Sequence, residues 1–189
     1  MCKGLDDENR FASNWSILKC AWRHFVREFS VLHLNPMETS KIIPVFCVGN
    51  SQTIGEQNVV RAPANLKSVI SIGAVNPNLV VAELSRRGND KPDFVAPGVD
   101  IRAILAEDNS YIRQSGTSMA ACFATGTIAL MISTAIKCLL YLNFEEIYEL
   151  LKQSSENPFS ATEGYGHDLL NSLKAVQLVE ERCNNIKPL

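Results

Sequence analysis

The sequence predicts an α/β fold with a mainly parallel central sheet, and three observations carry that expectation. Ile42–Val48 and Ser68–Val75 are short and almost continuously apolar rather than alternating, the pattern of strands buried on both faces of a parallel sheet. Each of these runs ends in a loop signal, Gly49-Asn50 in one case and Asn76-Pro77-Asn78 in the other. Beyond them the order changes from strands to helices, beginning with an uncharged stretch from Ala120 to Ile136. Strands followed by helices fit a layered fold around a central sheet.

Length and composition leave room for that fold. The chain has 189 residues, 46% apolar and 20% charged, enough for one domain or most of a larger one, with a sizeable core. This usage is ordinary for a globular protein and argues against extensive disorder. A formal net charge of −2 gives no electrostatic reason to expect a nucleic-acid or acidic-membrane partner.

Taken in order, residues 1–12 are polar and read as a loose end, with no apolar core of a secretory signal. Trp15, Ile17, Leu18, Ala21, Trp22, Phe25, Val26 and Phe29 recur at helical spacing within 14–34, and Pro36 ends any helix before it. Residues 51–67 are loop-like. After the second apolar run, short strand segments are expected at 79–84, 93–95, 99–104 and 111–114. Turns at Gly88-Asn89-Asp90 and Ala96-Pro97-Gly98 separate the first three. A helix spans 118–136; its uncharged stretch 120–136 is somewhat short for a membrane span and carries Thr125, Gly126, Thr127, Ser133 and Thr134, so it reads as a buried core helix rather than an anchor. Asn143 is the N-cap of the next helix, which has acids in its first turn and runs to about Gln153. A last helix covers Ser172 to about Arg182. The six cysteines, at 2, 20, 47, 122, 138 and 183, show no CxxC and no metal-ligand spacing, so mostly free thiols are expected, with Cys47 and Cys122 acting as small hydrophobes.

The chemistry-bearing feature is Ser115-Gly116-Thr117-Ser118-Met119-Ala120. A small-residue turn sets a serine at the start of a long apolar helix. There, free N–H groups and the positive helix end favour negative charge beside the hydroxyl. Taken alone, Ser118 reads first as an N-cap, and Asn50 as a turn residue after Gly49.

The string around Ser118, with Gly126 eight residues on, closely resembles the serine signature of the subtilisin-like peptidases. Three more blocks resemble that family in the same order: Pro44-Val45-Phe46-Cys47-Val48-Gly49-Asn50-Ser51, Ala62-Pro63-Ala64-Asn65 with the run to Val75, and Lys91-Pro92-Asp93-Phe94-Val95-Ala96-Pro97-Gly98-Val99. Gly166-His167-Asp168-Leu169-Leu170-Asn171 is similar to a Gly-x-Gly-Leu-Leu-Asn segment before the family's last helix, with Asp168 at the second glycine. The resemblance implies a three-layer subtilisin-like fold whose N-terminal part is missing or divergent: a divergent segment 1–40, the C-terminal part of the peptidase domain at 41–183, and a tail at 184–189.

By the same resemblance Ser118 is the nucleophile of a serine endopeptidase acting on polypeptides through an acyl-enzyme, and the Asn50 amide and the Ser118 N–H form the oxyanion hole. Val48, Gly49, Arg61, Ala62, Gly116 and Thr117 would border the substrate. Arg61 would stand at the base of the pocket for the residue before the cleaved bond, where it could fill that pocket or favour an acidic side chain; an exposed loop arginine is the plainer alternative. No cofactor motif and no metal ligands are legible, calcium being admitted only by resemblance. Family members are often secreted, but no compartment can be read from this chain.

A serine nucleophile needs a base, and in this family aspartate and histidine precede the serine. No Asp-x-Gly or His-Gly-Thr-His block precedes Asn50; Asp6, Asp7, His24 and His33 lack the expected neighbours, and His167 follows the serine. Cys122 stands where the family usually has proline, and Phe123 where it often has histidine. The chain alone is therefore expected to be inactive or nearly so. A non-catalytic relative that binds peptides or proteins is the alternative.

Overall fold

The computed structural model describes residues 42–51, 59–88, 91–104, 110–157 and 168–186, all within the compact unit Ile42–Leu189. The helix expected in 14–34, the three histidines, Asp6, Asp7, Cys2 and Cys20 lie outside the described residues.

Three parallel strands form the sheet in the order β1-β2-β3: β1 is Val45–Cys47, β2 Ile70–Val75 and β3 Phe94–Pro97. Val45 lies opposite Ile70, and Ile72 opposite Phe94. The central strand β2 is buried along its whole length, as its unbroken apolar run requires. On the far side of β3, Val95 bridges in parallel to Leu169, with Val95 N–H donating to the Asp168 carbonyl at 3.0 Å. Asp168 has φ 84°, the left-handed region that a glycine would enter without steric cost.

The strand expected at 79–84 does not form. The Asn76 side chain accepts from the N–H groups of Asn78 and Val80 at 2.9 and 3.0 Å. The chain therefore folds back over the end of β2, and Val81 makes only an isolated bridge to Val75. Strands β4 (Ile101–Ile104) and β5 (Tyr111–Gln114) form a separate antiparallel ribbon, with the Arg102 guanidinium over the Tyr111 ring.

Helix α1 runs Thr117–Lys137, α2 Phe144–Ser154 and α3 Ser172–Asn185. Ala120, Ala124, Thr127, Ile128, Met131 and Ala135 recur every three to four residues on the buried face of α1, which packs on the three strands and on α3. The opposite face is exposed, so only 33% of its most apolar 18-residue window is buried. The expected buried core helix is thus buried on one side only. Among the described residues α1 is also the one helix long and apolar enough to cross a membrane. Helix α2 starts with a capping box in which Asn143 and Glu146 each accept from the other's backbone N–H at 2.9 Å. The Asn171 side chain caps α3 through the Lys174 N–H.

Two cysteine expectations are corrected. Cys138, the C-cap of α1, and Cys183, near the end of α3, form a disulfide. They are 45 residues apart in sequence, and only the side-by-side packing of α1 and α3 brings them together. Cys47 and Cys122 are free, and Cys122 lies on the exposed side of α1 rather than in the core.

A buried polar cluster joins the sheet to α2. The Asp93 carboxylate accepts from Ser71 N (2.7 Å), Ser71 Oγ (2.6 Å), Lys91 Nζ (2.7 and 2.9 Å) and Tyr148 Oη (3.1 Å). The Lys91 and Asp93 side chains are each 8% exposed, so this is a buried ion pair held by further hydrogen bonds, the condition under which such a pair is tolerated.

Candidate active site

The site assembles at the carboxyl ends of the parallel strands. Leaving β1, Gly49 takes φ 92°, a conformation that favours glycine, and turns the chain so that Asn50 faces the start of α1. The segment 84–86 fixes this turn: Ser51 N–H donates to the Leu84 carbonyl at 2.8 Å, Arg86 N–H to the Gly49 carbonyl at 3.1 Å, and Arg86 Nε to the Asn50 carbonyl at 3.2 Å. From the other side, the loop after β3 seats the serine turn. Gly116 N–H donates to the Gly98 carbonyl at 2.7 Å, and Asp100 N–H to Ser115 Oγ at 2.9 Å. A Cβ on Gly98 would lie 2.6 Å from Ala74 Cβ and 2.9 Å from the Gly116 carbonyl, so only glycine permits this approach.

The N-cap of α1 is Gly116, which offers no capping side chain, and Ser118 is the second helical residue. The plain N-cap reading of Ser118 therefore fails. Thr117 N–H and Thr117 Oγ1 both donate to Asn50 Oδ1, each at 2.9 Å. A backbone N–H can only donate, so the amide oxygen must face Thr117, and Asn50 Nδ2 is left as a donor on the other side. A Cβ on Gly116 would lie 3.1 Å from that Nδ2 and 3.8 Å from the Ser118 nitrogen. Both donors thus border one small space, open because residue 116 has no side chain. Among the described residues the Ser118 N–H has no partner. With the helix dipole behind it, this space favours an oxyanion.

The Ser118 hydroxyl is exposed and contacts Cys47 Sγ at 3.7 Å. The sequence marked Cys47 only as a small hydrophobe; its place at the end of β1, three residues before Asn50, was the available signal. The structure gathers Gly49, Asn50, Gly116, Thr117 and Ser118. It turns Val48 away, into a buried cluster with Val60 and Ala64. Arg61 and Ala62 are exposed just after Val60 and, among the described residues, share no hydrogen bond with the Ser118 cluster. No histidine lies among the described residues, and no group of three or more His, Cys, Asp or Glu side chains there could hold a metal ion. No step is therefore assigned to calcium.

A family model for the subtilases matches residues 13–168. The chain belongs to the subtilase family. It is 29% identical over 161 residues to Bacillopeptidase F of Bacillus subtilis (strain 168), covering 78% of this chain and 11% of that protein. It is 38% identical over 94 residues to Subtilisin DY of Bacillus licheniformis, covering 50% of this chain and 34% of that one. Among solved structures it is similar to the prenylagaramide maturation protease PagA, with a TM-score of 0.64 and 25% identity, covering 75% of this chain and 52% of that one. The chain thus spans about half of that structure and 34% or less of these two relatives. The parallel sheet with its helices is the subtilase α/β architecture, and the match extends upstream into residues 13–41, whose sequence carries the helical pattern.

Proposed function

We propose that this chain supplies the nucleophile and the oxyanion hole of a serine endopeptidase acting on polypeptides, and that its base comes from outside the residues described. The observation that carries this reading is the space over Gly116, bordered by Asn50 Nδ2 and the Ser118 N–H, at the N-terminus of α1. Ser118 Oγ attacks a peptide carbonyl. The carbonyl oxygen, now negative, enters that space, the amine leaves, and water hydrolyses the ester. The Thr117 clamp keeps the Asn50 amide oriented before substrate arrives, so no reorganisation is needed as charge develops. A polypeptide substrate, with no nucleic acid and no membrane span, is part of this reading. So is the assignment of Gly49, Gly116 and Thr117, together with Arg61, Ala62 and the Val48 backbone, to the substrate cleft.

Without a base such a serine loses about 10⁶ in turnover, a figure taken from a subtilisin and therefore a family value. The chain alone should hydrolyse peptides at a barely detectable rate. Labelling of the natural full-length product with an active-site fluorophosphonate tests the proposal. Labelling that disappears in Ser118→Ala supports it. Folded, unlabelled product would instead favour a peptide-binding relative without catalysis. In a labelled form, Asn50→Ala should lower kcat by about 10²–10³, again a subtilisin value, with little change in KM.

A further inference from the structure

Asn50 is exposed, so packing does not hold it, and its amide is placed by hydrogen bonds at two ends. At the tip, Thr117 N–H and Thr117 Oγ1 fix Oδ1. That contact is a pivot rather than a full restraint, because the side-chain torsions of Asn50 separate it from the backbone. Where Nδ2 points therefore depends on the peptide at the root. This peptide follows Gly49, whose φ of 92° belongs to a residue with unusually many conformations open to it. The segment 84–86 holds the root. Ser51 N–H to the Leu84 carbonyl and Arg86 N–H to the Gly49 carbonyl are backbone bonds, making the isolated antiparallel bridge between Asn50 and Ser85. Almost any side chains at these positions would allow them. The bond from Arg86 Nε to the Asn50 carbonyl, at 3.2 Å, is different: it needs a side chain of one particular length that carries an N–H.

The arginine stem also covers the glycine. A Cβ on Gly49 would lie 3.4 Å from Arg86 Cδ and 3.8 Å from Arg86 Nε, so the half-buried stem stands over the face that the missing side chain leaves open. The guanidinium is a charged donor, and its bond to a carbonyl is stronger than a neutral one. We infer that Arg86 is a positioning residue for the oxyanion hole. Its Nε–H holds the Asn50 carbonyl, and with Oδ1 pinned by Thr117 the amide is fixed at both ends, with Nδ2 on the space over Gly116. Arg86 acts through Asn50 and takes no part in the bond changes at Ser118. The catalytic consequence rests on the proposed function, whereas the anchoring of Asn50 stands on the hydrogen bonds alone.

Two substitutions separate the hydrogen bond from the rest of the side chain. Arg86→Gln places an amide N–H as many bonds from Cα as Nε and carries no charge, whereas Arg86→Met has the same reach and no donor. Amide hydrogen exchange on the full chain reads the anchor without any catalysis. Thr117 N–H, which donates to Asn50 Oδ1, should exchange about tenfold faster in Arg86→Met and within about threefold of wild type in Arg86→Gln, the scale of one hydrogen bond lost or kept. The Ile72 amide, buried in β2, is the control and should not change. Catalysis is read on the natural full-length product as the rate at which a fluorophosphonate modifies Ser118, since its phosphoryl oxygen must enter the same space. Arg86→Met should slow the bond-forming step about tenfold with reagent affinity unchanged, Arg86→Gln should restore it, and Arg86→Met should add little to Asn50→Ala. Unchanged Thr117 exchange in Arg86→Met overturns the inference. Equal losses in the Met and Gln variants do so as well, by assigning the effect to charge, and so does faster exchange at Ile72, by making Arg86 a general stabiliser. Additive effects of Arg86→Met and Asn50→Ala would also overturn it, because they would show a route that bypasses Asn50. A product that takes no label removes the peptidase reading, and the exchange measured on the chain itself then decides the anchor.

Discussion

Replacing Asp93 by alanine should be the most damaging single change in the described core, and the hydrogen-bond pattern around it gives the reason. The carboxylate accepts from Ser71 N, Ser71 Oγ, Lys91 Nζ and Tyr148 Oη, whereas the Lys91 ammonium is held by Asp93. With both side chains 8% exposed, Asp93→Ala takes the acceptor from a buried ammonium, from the Ser71 N–H and from two hydroxyl donors. Removing one partner of a buried pair costs about 3–5 kcal/mol, and the stranded hydroxyls keep the figure at the upper end. Lys91→Met removes a charge but leaves Asp93 with three donors, so about 2 kcal/mol is expected. The double variant should cost about 2 kcal/mol less than the sum of the singles, because neither charge is left alone. Urea unfolding at neutral pH, with the m-value checked for constancy, measures all three. A Lys91→Met cost equal to or above that of Asp93→Ala would refute the asymmetry and the reasoning behind it.

Three other outcomes follow from the same core. The Cys138–Cys183 disulfide closes 45 residues; in the chain-entropy account this restricts the unfolded state by about 4 kcal/mol, so the double serine variant should show that loss, and added thiol reductant should lower the wild-type stability without affecting the variant. Leu139 follows the C-cap of α1 with φ 57° and a side chain 96% exposed, while Leu139 and Leu140 N–H groups close the helix end on the Ile136 and Ala135 carbonyls. Leu139→Gly should therefore stabilise by about 1 kcal/mol, seen as a rise of about 2–4 °C in Tm. Burial first, then the charge of Asp93 and the hydrogen bond to it, raises the Tyr148 phenol well above its ordinary value near 10. A raised folded-state value favours the protonated phenol in the fold. That contribution is present below pH 10 and is lost as pH climbs above it. Tyr148→Phe should be less stable at pH 7 yet show a shallower decline above pH 10 in unfolding curves.

The elements were legible where local chemistry alone decides them. The apolar runs at 42–48 and 68–75 contain the strands β1 and β2, and Asn143 caps α2, with acids in its first turn, as expected. The 79–84 stretch was not legible, because a side-chain turn at Asn76 overrides a strand-like composition. The cysteine pairing was not legible either, since it depends on which helices pack together. In the site, the sequence nominated Ser118, Asn50, Gly116 and Thr117, and the structure puts them together. It did not expose the Thr117 clamp on the Asn50 amide or the neighbouring Cys47 thiol.

What the sequence by itself determined is the order of strands and helices, the subtilase signature and the serine that carries it, because each is written in contiguous residues whose propensities and spacing act locally. What only the tertiary structure decided is which groups converge. Thr117 meets Asn50 across 67 residues, Asp93 gathers Ser71 and Tyr148, and one side of an evenly apolar helix is left open beside Ser118. Those outcomes depend on packing between distant segments, where a single register or crossing sets every contact, and no local pattern encodes that.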